Sequence, residues 1–95
     1  MIYTKAIFGN ELKKRVSQKQ DVAEIGIWAY SAYLEYSGEW DHNLLDVMIG
    51  LNTMELGSEF ARSYEILNKI ADDLIAGKDI DLNVAEYRDN NDVLG

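Results

Sequence analysis

The apolar residues of this chain recur at intervals of three and four along four successive segments, and this spacing is the feature that most limits its fold. Such spacing gathers apolar side chains on one face of an α-helix. The clearest run is Phe60, Tyr64, Leu67, Ile70, Ala71, Leu74 and Ile75, before Gly77. The chain has no proline, so capping side chains and glycines must mark the helix ends instead. The spacing therefore predicts an all-α fold.

Capping residues and glycines divide the chain into four predicted helices. Ser17 and Gln20 fit a capping box, in which the serine accepts from an amide three residues on and the glutamine reaches back. Asp41 and Ser58 are placed to cap the third and fourth helices. The predicted helices cover residues 4–16, 17–37, 41–55 and 58–76. A short irregular or extended tail follows over residues 78–95, with Ile80, Leu82 and Val84 lying as a strap over the bundle.

Length and composition fit one such bundle. A chain of 95 residues supplies one core of about three to five helices and is too short for a second, so residues 1–95 are predicted to form a single domain. The chain has no cysteine, which excludes disulfides and thiolate metal sites. No segment approaches the ~18 apolar residues of a membrane span, and no signal peptide is evident. We expect a soluble, cytoplasmic protein that does not bind membranes.

Charge is distributed unevenly along the chain. The net charge is −8, and because residues 1–20 carry five basic and one acidic residue (+4), residues 21–95 carry −12. Such a surface repels phosphate backbones and speeds encounters with a positively charged protein. We therefore expect no direct binding of nucleic acid, although Lys13, Lys14, Arg15 and Lys19 lie close in sequence. These basic residues are expected to pair with the protein's own acids.

The residues that usually carry catalysis are scarce. With no cysteine and one histidine, His42, the usual pairs of nucleophile and base lack parts. His42 and Asp46 offer only two ligands on an exposed helix start, which makes a poor metal site. The segment from Asp79 to Asn83 imitates the start of a calcium loop, but Val84 stands where the loop requires glycine. We therefore expect no enzyme activity and no metal or other cofactor.

Two groups of residues are candidates for binding a partner. Aromatic side chains give large contact areas, and carboxylates pair with Arg or Lys across an interface. The first group, which mixes aromatic and acidic residues, is Glu35, Tyr36, Glu39, Trp40 and Asp41. The second group surrounds the end of the fourth helix and is Asp72, Asp73, Asp79 and Asp81. Acids at a helix end oppose the helix dipole, and so they indicate a role beyond folding. Which aromatic residues belong to the core and which to the interface stays open.

Four segments resemble the small acidic immunity proteins of bacteria that are paired with contact-dependent growth inhibition toxins and colicin-like nucleases. They are Asp21-Val-Ala-Glu-Ile-Gly-Ile-Trp-Ala-Tyr-Ser-Ala-Tyr-Leu-Glu35, Asp41 leading into Leu44-Leu45 and Met48, Ser58-Glu-Phe60, and Ile70-Ala-Asp-Asp-Leu-Ile75. The resemblance covers residues 17–82. Such proteins bind a cognate toxin, commonly a basic RNase or DNase, and block its active site or an adjoining surface.

The resemblance implies that the chain neutralises a cognate basic toxin, with a nuclease expected, by covering its active site with an acidic face. These families share no catalytic residues, so the resemblance implies a role and no particular site residue. The alternative function is an acidic regulatory adaptor, or an inhibitor that mimics DNA and binds a host nucleic-acid-binding enzyme. The toxin's chemistry and the oligomeric state stay open.

Overall fold

Four α-helices make up the fold in a computed structural model, which describes residues 4–36, 41–56 and 61–88. They are α1 (Lys5–Ser17), α2 (Val22–Tyr36), α3 (His42–Asn52) and α4 (Tyr64–Ile75). A 3-10 turn, Thr53–Leu56, continues from α3, and a second, Ala85–Tyr87, lies in the C-terminal segment. The described ranges contain no strand, so the predicted all-α class is confirmed.

The helices pack in two pairs, α1 against α4, and α2 against α3 with the 3-10 turn that follows it. A glycine permits close approach in each pair. A Cβ atom on Gly9 of α1 would lie 2.8 Å from the carbonyl oxygen of Ala71 on α4. A Cβ atom on Gly26 of α2 would lie 2.9 Å from the carbonyl oxygen of Leu51 on α3. Side chains at these positions would push the backbones apart.

Buried side chains from all four helices form one core. The largest of those that are almost wholly buried are Phe8, Leu12, Ile25, Val47, Met48, Leu51, Met54, Leu67, Ile70 and Leu74. Trp28 attaches α2 to α1, because its ring stacks on Phe8 with 4.7 Å between centroids. The guanidinium of Arg15 lies 4.1 Å from the centroid of the same Trp28 ring. The helical spacing of the apolar residues thus identified the core faces.

Local capping explains the start of α3, where the prediction is confirmed. The side chain of Asp41 accepts a hydrogen bond from the Leu44 amide at 3.0 Å. Such a bond satisfies one of the amides that have no partner within the first turn of a helix. The third helix then ends at Asn52, three residues before its predicted end, and the chain tightens into the 3-10 turn.

The capping box predicted at Ser17 and Gln20 is wrong. Ser17 is the last residue of α1, where its hydroxyl donates to the Lys14 carbonyl at 2.8 Å. The chain then turns through Lys19, which has a φ of 59°. The hydroxyl of Tyr64, at the start of α4, donates to the Gln20 carbonyl at 2.8 Å. The turn is also closed locally, because the Lys19 amide donates to the Val16 carbonyl at 3.0 Å and the Gln20 amide to the Arg15 carbonyl at 3.1 Å. The second helix therefore begins at Val22 and not at residue 17.

The start of the fourth helix also differs from the prediction. Ser58, the predicted cap, lies outside the described residues. Residues 61–63 are not helical, and α4 begins after Ser63, whose hydroxyl accepts from the Ile66 amide at 3.2 Å. The neighbouring Arg62 side chain donates to the carbonyls of Tyr87 at 3.1 Å and Leu82 at 3.3 Å. Residues 61–63 therefore contact the C-terminal segment and do not form a further turn of α4.

The segment from residue 78 to residue 88 lies over the bundle as an irregular strap. Ile80 and Leu82 are buried as predicted, whereas Val84 is exposed, so its predicted burial is wrong. The Asn43 side chain of α3 donates to the Ile80 carbonyl at 2.9 Å and accepts from the Ile80 amide at 2.9 Å. These two bonds, together with those from Arg62, fix the strap across α3 and α4.

Candidate partner-binding surface

Two acids of the predicted second group form ion pairs with lysines of α1. Lys13 pairs with Asp72 on α4, and Lys5 pairs with Asp79 just beyond α4. The Lys5 ammonium also lies 3.9 Å from the Asp41 carboxylate. The expectation that Lys13, Lys14, Arg15 and Lys19 pair with the protein's own acids therefore holds for Lys13. The other three form no ion pair with a described residue, and Arg15 and Lys19 lie over the rings of Trp28 and Tyr64 instead. The ion pairs of Asp72 and Asp79 also offset the unfavourable position of carboxylates at a helix C-terminus.

Asp73 stabilises the fold through contacts with the C-terminal segment and with two lysines. Its carboxylate accepts a hydrogen bond from the Tyr87 hydroxyl at 2.7 Å, and the ammonium groups of Lys69 and Lys78 each lie 3.6 Å away. The hydrogen bond from Tyr87, with help from the two lysines, lowers the pKa of Asp73 against the opposing effect of burial. Burial, and then the contact with Asp73, raises the pKa of Tyr87.

Asp81, the fourth member of this group, is exposed and shapes a turn. Its carboxylate accepts from the Asn83 amide at 2.9 Å. Since Asp79 pairs with Lys5, the segment that imitates a calcium loop uses its oxygens internally. Of the second predicted group, Asp81 alone forms no ion pair with a described residue.

The first predicted group is described only in part. Glu39 and Trp40 lie outside the described residues, and the side chain of Tyr36 is likewise not described. Asp41 is half-buried and caps α3, so it has a structural task whether or not it meets a partner. Glu35 is exposed at the end of α2. Of the two side chains of this group that the structure describes, Glu35 is therefore the exposed one, and it forms no ion pair with a described residue.

The central part of the chain contains a charge pattern that the division at residue 20 did not reveal. Between Lys19 and Arg62 the sequence carries eight acidic residues and no Lys or Arg. Within the described ranges, five of these acids are exposed and form no ion pair: Asp21, Glu24, Glu35, Asp46 and Glu55. Reading the positions of Lys and Arg along the sequence would have found this base-free span.

The outer face of α2 carries an apolar stripe, which consists of Ile27, Tyr30 and Leu34. These side chains are 52%, 42% and 58% exposed, respectively. Their spacing of three and four residues places them in one line along the helix. The opposite face of α2 is buried through Ile25, Ala29 and Ala32. The α2 stripe is therefore additional to the apolar face that holds the helix in the bundle.

Acidic residues border the α2 stripe. Glu24 and Glu35 are exposed on α2, and at 100° per residue they lie about a quarter turn around the helix from the stripe. The ring of Tyr30, within the stripe, stacks on Tyr33 with 6.0 Å between centroids. The prediction had identified Glu35 but not Ile27 or Leu34. A second line of apolar residues at helical spacing, separate from Ile25, Ala29 and Ala32, is the signal in the sequence that would have found them.

The remaining candidates offer little for chemistry. His42 is exposed in the first turn of α3. Within the three described ranges, no group of three or more His, Asp or Glu residues is arranged to hold a metal ion. No helix in the described part of the chain has the length and apolar character needed to cross a membrane.

A scan against protein-family models and searches of curated proteins and of solved structures found no match to this chain.

Proposed function

We propose that this chain is a binding protein for a positively charged protein, and specifically an immunity protein that neutralises a basic toxin. The observation that carries the proposal is the base-free span between Lys19 and Arg62, in which five exposed acids form no ion pair with a described residue. The rest of the chain contains all nine Lys and Arg residues, and several of them neutralise acids of α4 and the strap. The rest of the chain carries nine acidic residues against these nine basic ones, so the net charge of −8 falls on the central span.

This distribution favours the pair of helices α2 and α3, which the base-free span contains, as the place where the partner binds. Complementary charge speeds association and excludes partners of like charge. Nucleic acids carry the same sign as the base-free span, so the surface disfavours them and favours a cationic protein. The toxin is the part of the proposal that comes from the resemblance to immunity proteins. The expectation that the partner is positively charged is inferred from the charge of the surface itself.

The experiment that tests the proposal uses the reading frame encoded immediately upstream, since immunity genes directly follow those of their toxins. That frame is expressed from an inducible promoter with and without this chain. We expect growth arrest without the chain and growth with it. Purified components should associate more slowly as salt rises, because salt screens the attraction between exposed charges.

Charge reversal distinguishes the base-free span from the rest of the surface. Glu24→Lys combined with Glu35→Lys should weaken binding by about 1 kcal/mol or more. Glu65→Lys is the matched control, because Glu65 is an exposed acid on α4 outside the span, and it should change affinity little. Undiminished inhibition by the double variant, or rescue of growth without any physical association, would contradict the proposal.

A further inference from the structure

The α2 stripe is an apolar surface that the bundle does not use. Exposed apolar residues scattered singly need no explanation, but Ile27, Tyr30 and Leu34 form a continuous line on the outer face of one helix. Bordering it are Glu24 and Glu35, which form no ion pair with any described residue. We infer that the α2 stripe is the docking surface for a cationic amphipathic segment of the partner protein.

The occupant is defined by two properties of the surface. The apolar line requires apolar side chains from the partner, because burial of apolar area is what makes such a contact favourable. The bordering carboxylates require Lys or Arg beside those apolar side chains, because unpaired carboxylates in an interface are costly. A helix with one apolar face and basic flanks satisfies both requirements. This inference rests on the proposed function, since it specifies how a basic partner is held.

A second copy of this chain is a poor occupant. A standard interface takes about 800 Å² from each partner, and three half-exposed side chains supply roughly half of that at most. The residues beside the stripe must therefore enter the interface as well. In a symmetric dimer through α2, these would bring Glu24 and Glu35 of one copy against the same acids of the other. Like charges brought together in this way oppose association.

The test uses the full chain and three synthetic peptides of equal length. The first is an amphipathic helix of leucine and lysine. The second replaces its leucines with serine and keeps the lysines, and the third keeps the leucines and replaces the lysines with glutamate. Affinity is measured by calorimetry, and the bound residues are mapped by amide chemical shifts. We expect the leucine–lysine peptide to bind about tenfold or more tightly than either of the others, since it alone can bury apolar area beside paired charges. The largest shift changes should lie along α2.

Matched variants locate the contact. Ile27→Ser and Leu34→Ser should each weaken binding of the leucine–lysine peptide about fivefold or more. Ile49→Ser is the control, because Ile49 is 43% exposed on α3 and lies outside the stripe, and it should leave the affinity unchanged. All three positions are exposed, so the variants should fold, which circular dichroism checks.

Each other outcome overturns the inference in a distinguishable way. Equal binding of the serine–lysine peptide would show that charge alone acts, which removes the stripe from the interface and leaves the proposed basic partner intact. Equal binding of the leucine–glutamate peptide would show that the bordering acids do not select the partner. A dimer of the free chain that Leu34→Ser dissociates in sedimentation would assign the stripe to a second copy. Binding by none of the peptides, with growth still rescued, would place the partner elsewhere on the surface.

Discussion

The contact between Asp73 and Tyr87 should be a main attachment of the C-terminal strap to α4. The hydrogen bond spans 2.7 Å and joins a carboxylate to the hydroxyl of a buried tyrosine. Asp73→Ala removes the acceptor and leaves that hydroxyl without its partner. Tyr87→Phe removes the donor and keeps the ring. Comparing the two single variants with the double variant isolates the energy of the contact itself.

The magnitudes follow from burial. A hydrogen bond to a charged group contributes about 1.5–3 kcal/mol, and a buried polar group left without a partner costs about 1–3 kcal/mol. The ion pairs with the half-exposed Lys69 and the exposed Lys78 add ~0–1 kcal/mol. We expect Asp73→Ala to lower the free energy of unfolding by about 2–3 kcal/mol and Tyr87→Phe by about 1–2 kcal/mol. The double variant should lose less than the sum by about 1 kcal/mol or more.

Urea unfolding followed by far-ultraviolet circular dichroism measures these free energies. Asp72→Ala is the matched control, since the adjacent Asp72 is exposed and pairs with the exposed Lys13, and it should cost ~0–1 kcal/mol. Two results would refute the reasoning. One is a cost of Asp73→Ala equal to that of Asp72→Ala, and the other is simple additivity of the Asp73 and Tyr87 substitutions.

Two further predictions concern packing and pH. Gly9→Ala gains ~1 kcal/mol of helix propensity. The new Cβ would lie 2.8 Å from the Ala71 carbonyl oxygen, and this overpacking costs ~1–3 kcal/mol. We therefore expect thermal unfolding to show a net loss of stability. The lowered pKa of Asp73 gives stability that is present above its unfolded value of 3.8 and is lost as pH falls through the folded pKa. The raised pKa of Tyr87 gives stability that is lost as pH rises above 10.0, and Tyr87→Phe should therefore remove part of the alkaline loss measured by urea unfolding at several pH values.

Local signals in the sequence predicted what local contacts determine. Asp41 was identified as the cap of α3 because its acceptor bond spans only three residues. Ser17 and Gln20 failed because the same residue types also suit a helix end. Backbone bonds back to α1 close the turn there, and the bond from the Tyr64 hydroxyl to the Gln20 carbonyl, which joins residues 44 apart, adds to them. A single sequence contains no signal for such a contact.

The acids of the candidate site show the same difference between local contacts and contacts that join distant residues. The acids around the end of α4 were predicted to face a partner, yet Asp72 pairs with Lys13, 59 residues away, and Asp79 with Lys5, 74 residues away. Tyr87 falls in the segment predicted to be an irregular or extended tail, and the structure buries it in contact with Asp73 and Arg62, which are 14 and 25 residues away in the sequence. The prediction that the bases at residues 13–19 pair with the protein's own acids held for Lys13, and charge counts could not specify which acids would remain unpaired.

The separation of supporting contacts from the α2 stripe affects how this protein can change over generations. Exposed positions away from caps and core typically alter stability by no more than about ±0.5 kcal/mol when substituted. Ile27 and Leu34 are such positions. Gly26 is not, because it lies where α2 packs closely against the backbone of α3. If the α2 stripe binds a partner as proposed, single substitutions along it can therefore alter recognition while the bundle stays intact. A lineage meeting a succession of altered partners could follow them one residue at a time.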